Sequence, residues 1–124
     1  MRIFKTTWFN RFAGKEGITD DELRELVDLL EAGLPDADLG GGVFKMRLAR
    51  PGEGKSGGYR VIVFFRSEER TFYEYCFPKS KKANISRKLL KYYKESAKEY
   101  LSMTPDQLRE RIKEGRFVEL KERL

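Results

Sequence analysis

The stretch VFKMRLARPGEGKSGGYRVIVFFRSEERTFYEYCF, residues 43–77, changes character three times, and those changes decide the fold. At its start Phe44, Met46 and Leu48 alternate with Lys45 and Arg47. Successive side chains of a strand point to opposite faces, so this spacing predicts a strand with a core face and a cationic face. YRVIVFFR is apolar on both faces in its middle, as expected of a central strand, and TFYEYCF is dense in aromatic β-formers. PGEGKSGG and SEE supply the two turns. Residues 43–77 therefore predict a three-stranded antiparallel meander.

Helical signals flank it. RIFKTTWF reads as a short strand or extended segment, followed by one or two helical turns over WFNRFA with Trp8, Phe9 and Phe12. From Thr19 the order T-D-D-E is a capping box: Thr19 accepts from the amide of Glu22, whose side chain returns the bond. The helix it opens runs to about Ala32, with Leu23, Leu26, Val27 and Leu30 on one face, and Gly33 ends it before Pro35. Beyond the meander, Leu89, Leu90, Tyr93, Ala97, Tyr100 and Leu101 share one side of a long helix predicted from about Ala83 to Leu101. Thr104, Pro105 and Gln107 form a second cap, opening a short helix that ends before Gly115. FVEL, residues 117–120, is expected as a last edge strand. The sum is an α+β protein in which residues 1–124 form a single domain.

Composition excludes several chemistries. There is no histidine, and Cys76 is the lone cysteine, so neither an internal disulfide nor structural zinc is expected; metal and cofactor alike are read as none. The N-terminal MRIFKTTWFN lacks an apolar signal core, and no run approaches the roughly 18 apolar residues of a membrane span, so a cytoplasmic location with no membrane contact is the expectation. The net charge of +6 is unevenly spread. Residues 1–44 sum to −4, residues 45–82 to +6 and residues 83–124 to +4. A positive field that begins at Lys45 suits a polyanion.

Residues 40–85, GGGVFKMRLARPGEGKSGGYRVIVFFRSEERTFYEYCFPKSKKANI, resemble the body of RelE/HigB superfamily toxins, through the pattern K-x-R-x-A-x-x-G-x-G-K-x-G-G-x-R. The EAGLPDADLGGG segment and the short C-terminal helix extend the likeness in character over most of the chain. The resemblance implies a curved antiparallel sheet, with the N-terminal helices and the long C-terminal helix packed on one face and a basic concavity on the other. It implies further that this concavity grips messenger RNA at the ribosome. There a 2′-hydroxyl attacks the following phosphate and leaves a 2′,3′-cyclic phosphate. A branch with the same fold, ParE, instead inhibits DNA gyrase.

Transesterification of RNA needs a base for the 2′-hydroxyl, stabilisation of the charged phosphorane and an acid for the 5′-oxygen. Without histidine, a lysine serves as base only where burial or nearby cations depress its pKa. By position, Lys45 and Arg47 match the cationic pair of the family's active strand, Arg60 the arginine of its G-x-R strand, and Lys79 a basic residue after the last sheet strand. Lys45 is the expected base, with Arg47 and Arg60 on the phosphate. Arg50, Lys55, Tyr59, Lys81 and Lys82 are the expected contacts to RNA or ribosome; Tyr59 is open to either stacking or packing. Two departures stand out. Ser80 replaces an arginine of some RNA-cleaving members and Ser86 falls near a helix tyrosine of others, leaving Lys81 or Lys82 as substitutes.

Each assignment has a plainer competitor. The cationic strand face is open to being merely solvated, Arg60 to pairing with Glu74 across the sheet, and the row Tyr73, Tyr75, Phe77 to being core rather than a base-stacking platform. Cys76 reads as a small buried hydrophobe. The GEGKS run at residues 52–56 is not a phosphate loop, because Ala49 stands where glycine is needed and a strand follows instead of a helix. Three functions follow: a ribosome-dependent endoribonuclease, a non-catalytic gyrase inhibitor, and an RNA-binding relative without catalysis. The resemblance also implies an antitoxin partner, of helix-turn-helix type.

Overall fold

The computed structural model describes residues 1–50, 54–79 and 85–121, excepting the side chains of residues 50 and 54–57. Along the chain it has β1 (Arg2–Thr6), α1 (Thr7–Glu16), α2 (Asp20–Glu31), β2 (Ala37–Gly40), β3 (Val43–Arg50), β4 (Gly54–Arg66), β5 (Arg70–Pro78), α3 (Arg87–Ser102), α4 (Pro105–Lys113) and β6 (Phe117–Glu119). The α+β expectation holds. β3, β4 and β5 are the antiparallel meander, and the described strands form one sheet in the order β2-β3-β4-β5-β1-β6.

Local chemistry sets the helix ends. Thr19 and Thr104 each accept from the amide three residues on, and Glu22 and Gln107 return the bond to the cap amides, so both capping boxes are present. Ser86 caps α3 through the amide of Leu89. The helix thus begins four residues later than its apolar pattern suggests, a hydroxyl acceptor for orphan amides outweighing weak periodicity.

Two features of the expected architecture are corrected. The sheet is mixed rather than wholly antiparallel, because β1 lies parallel to β5 while pairing antiparallel with β6. Parallel neighbours need a long crossover, which the chain between residues 7 and 69 provides. The helices also do not share one face. Phe9 and Ala13 of α1 and Leu23, Leu26, Val27 and Leu30 of α2 pack on Met46, Leu48, Val61, Val63 and Tyr73. Tyr93, Ala97 and Leu101 of α3 and Leu108 of α4 pack on the other side, against Phe4, Val43, Ile62, Phe64 and Phe72. The reason is written in β4, whose centre is apolar on both sides and must be covered twice.

The turn from β2 into β3 needs glycine. Gly42 has φ +83°, and a Cβ there would stand 2.7 Å from Leu101 Cδ1 of α3. Gly42→Ala is accordingly expected to cost about 1–3 kcal/mol, read as a lower urea midpoint at unchanged slope.

Candidate functional site: a cationic sheet face beside an aromatic cleft

Strand register arranges the α3 side of the sheet in three cross-strand rows. Val43 lies opposite Phe64, which lies opposite Phe72; Lys45, Ile62 and Tyr75 form the second row; Arg47, Arg60 and Phe77 form the third. The first row is apolar and sits under Tyr93 and Tyr100 of α3, with Phe64 and Tyr100 ring centroids 5.6 Å apart. The sequence-predicted cations Lys45, Arg47 and Arg60 are thereby brought to one face of two neighbouring strands. Lys45 and Arg60 are half-buried and Arg47 is exposed. Lys79 is exposed just past Pro78, the partner of Tyr59, at the same end of the sheet. The side chains of Arg50 and Lys55, and all of Ser80, Lys81 and Lys82, lie outside the described residues. The backbone of residues 54–56 is strand, as the rejection of a phosphate loop requires.

The two arginines are held differently. Asp36 accepts from the Arg47 backbone amide at 2.6 Å and from its Nε at 2.8 Å. Asp36 escaped sequence reasoning because it precedes β2, a short glycine-ended strand with no alternating pattern. Arg60 faces Arg47 across the ladder, and like charges directly opposite are destabilising. Its Nη1 is buried and has no hydrogen-bond partner among the described residues. A buried guanidinium nitrogen in that state carries a desolvation cost that no hydrogen bond offsets.

Tyr59, expected among the contacts to RNA or ribosome, lies away from the cationic face. It points to the α1–α2 side of the sheet, 2% exposed, and donates to Glu16 Oε1 at 2.6 Å, so of its two expected roles it fills packing. The row Tyr73, Tyr75, Phe77 is corrected as well. Val63 pairs with Tyr73 and Ile62 with Tyr75, which makes Glu74 the extra residue of a β-bulge. The bulge flips the alternation, sending Tyr73 into the opposite core, where its hydroxyl donates to the Leu23 carbonyl, while Tyr75 and Phe77 stay beside the cations. Cys76 is buried, and desolvation pushes its thiol up to about 12, in keeping with a packing role.

Arg60 lies opposite Phe77, three residues along β5 from Glu74, and the alternative of an ion pair between them is not met. Glu74 Oε2 is buried without a partner among the described residues, and burial pushes its carboxyl up to about 7. An unfolded glutamate titrates near 4.3. Below that pH both states hold the proton and Glu74 costs nothing; as pH rises towards 7 the unfolded chain alone ionises, so stability falls. Glu74→Gln is therefore expected to flatten the decline in urea stability between about pH 4.5 and 7 and to be the more stable protein at pH 8, by about 2 kcal/mol.

Among the described residues no helix is long and apolar enough to cross a membrane. Residues 1–120 match the family described as RelE toxin of RelE / RelB toxin-antitoxin system. The match runs through every strand and helix that builds the cationic face, and it implies an antitoxin as partner. This chain belongs to the RelE toxin family.

Proposed function

We propose that this protein is a ribosome-dependent endoribonuclease that cleaves messenger RNA by metal-independent transesterification and so arrests translation. The observation that supports it is the convergence of Lys45, Arg47 and Arg60 on adjacent rows of one sheet face, with Arg60 Nη1 unpaired. In this reading Arg47 and Arg60 grip the scissile phosphate and hold it in line, their forked N–H groups matching its oxygens as negative charge builds. Asp36 fixes the Nε end of Arg47, and the guanidinium has further N–H groups to offer. Lys45 takes the proton of the attacking 2′-hydroxyl. Lys79 supplies a cation on the side of the departing 5′-oxygen, and Arg50, Lys55, Lys81 and Lys82 extend the phosphate track. Arg87, Lys91, Lys94 and Lys98, exposed on α3, add to the same field, as a phosphate-rich ribosomal surface requires. The antitoxin, of helix-turn-helix type in this reading, acts by covering the cationic face.

Inducible expression of the wild type and of a Lys45→Ala/Arg60→Ala variant, followed by mapping of messenger RNA 5′ ends, tests the proposal. Codon-phased ends in the wild type alone support it. Growth arrest without new ends redirects the function to gyrase, and salt-sensitive RNA binding without ends to a non-catalytic relative.

A further inference from the structure

Glu74 sets a buried acid beside the cationic face. Glu74 lines a cleft of about 330 Å³ together with Trp8, Tyr75, Leu89, Tyr92 and Tyr93. Trp8 stacks on Tyr75 at 4.4 Å between ring centroids and 26° between planes. Trp8 and Tyr92 remain 42% and 56% exposed, large rings left in water at the mouth of the cleft. The cleft exists because β1 ends at Thr6: α1 starts there and its first turn swings Trp8 against the edge of β5, while Thr6 Oγ1 donates to the Glu74 carbonyl and holds the bulge in place.

We propose that this cleft is a nucleobase subsite, in which a guanine of single-stranded RNA stacks on the exposed ring of Tyr92 beside Trp8 and donates its N1–H and N2–H to Oε1 of the Glu74 carboxylate, the oxygen that is not buried. The inference rests on the RNA-binding reading of the cationic face. A carboxylate only accepts, and among the four bases guanine alone presents two adjacent donors on its Watson–Crick edge. Uracil sets its one donor between two carbonyls, and adenine and cytosine place an acceptor beside theirs. Tyr75 shares a row with Ile62 and Lys45, so the cleft opens about two strand spacings, roughly 10 Å, from the lysine. A nucleotide whose phosphate lies on the cations thus reaches the cleft with a neighbouring base. A lysine or arginine from a protein partner fits the cleft less well, because Lys45, Arg47, Arg60 and the α3 lysines repel it on approach. The desolvated carboxyl gains its charge back when donors arrive, which couples ionisation to base binding.

Trp8 is the only tryptophan and reports on the cleft directly. Its fluorescence is titrated with the 5′-monophosphates of guanosine, adenosine, cytidine and uridine, and with N-acetylarginine amide, in the wild type, Glu74→Gln and Tyr92→Ala. The expected result is a preference of about tenfold or more for the guanosine nucleotide, lost in Glu74→Gln. Tyr92→Ala, an exposed change that leaves the core intact, is expected to weaken all four nucleotides together. Equal quenching by the four, quenching by none, or quenching by the arginine derivative alone overturns the subsite. The two readings fail separately. A guanosine preference in a protein that makes no RNA ends removes the nuclease and keeps the subsite, whereas codon-phased ends without a guanosine preference keep the nuclease and remove the subsite.

Discussion

Arg60→Ala is expected to lower RNA cleavage by about 10²–10³-fold, the usual consequence of removing one preorganised donor to a developing oxyanion, and to leave the protein as stable or slightly more so. The second half of that expectation is the informative one. Arg60 stands opposite Arg47 and keeps a buried nitrogen unpaired, so its removal relieves a like-charge contact and a desolvated donor at once. A stability gain of up to about 1 kcal/mol alongside lost activity marks a residue kept for chemistry. Arg60→Lys should recover only part of the rate, since a point charge does not reproduce the fork. Cleavage in a translating extract and thermal melting of the same preparations measure both; full activity, or a loss of activity that tracks a loss of stability, would count against the assignment.

Phe72→Ala should do the reverse, acting on the fold and not on the chemistry. Phe72 is fully buried, stacks on Phe4 at 5.0 Å and meets the tilted rings of Phe117 at 5.1 Å and Tyr100 at 5.4 Å, joining β1, β5, β6 and α3 at one point. Truncating such a ring costs about 3–5 kcal/mol, against a total of about 5–15 kcal/mol for a domain. Urea titration should show a large drop in midpoint, and the protein should accumulate poorly in cells. Leu34→Ala, at a residue 62% exposed, serves as the matched control and should change stability by no more than about 0.5 kcal/mol.

The meander, both capping boxes and the edge strand at residues 117–119 were legible in the sequence because each rests on local chemistry: alternation, cap hydroxyls and turn glycines. The cations Lys45 and Arg47 were legible for the same reason, as strand parity puts them on one face, whereas Arg60 joined them through the family resemblance, its face being set by the register of β4 against β3. What escaped depends on partners distant in the chain. Nothing in RIFKT announces that it will lie parallel to β5, and nothing in TFYEYCF announces a bulge at Glu74. That single extra residue reverses the parity of Tyr73 relative to Tyr75. Tyr59 was open to stacking or packing because its sequence does not show its neighbours in space, which are Phe12 and Glu16.

The seat of β1 between β5 and β6 also sets a timetable. Arg2 pairs with Arg70 and Phe4 with Glu119, so β1 waits for partners that lie far along the chain. At about 5–20 residues per second, β6 leaves the ribosome on the order of ten seconds after β1. The β3–β5 meander closes short loops and can form within that interval, but closing the distant pairs carries the larger entropic cost and comes later. The cationic rows can therefore be assembled before the sheet that supports them is complete, and the rate of synthesis, more than the speed of strand docking, dates the moment at which that sheet closes on β1.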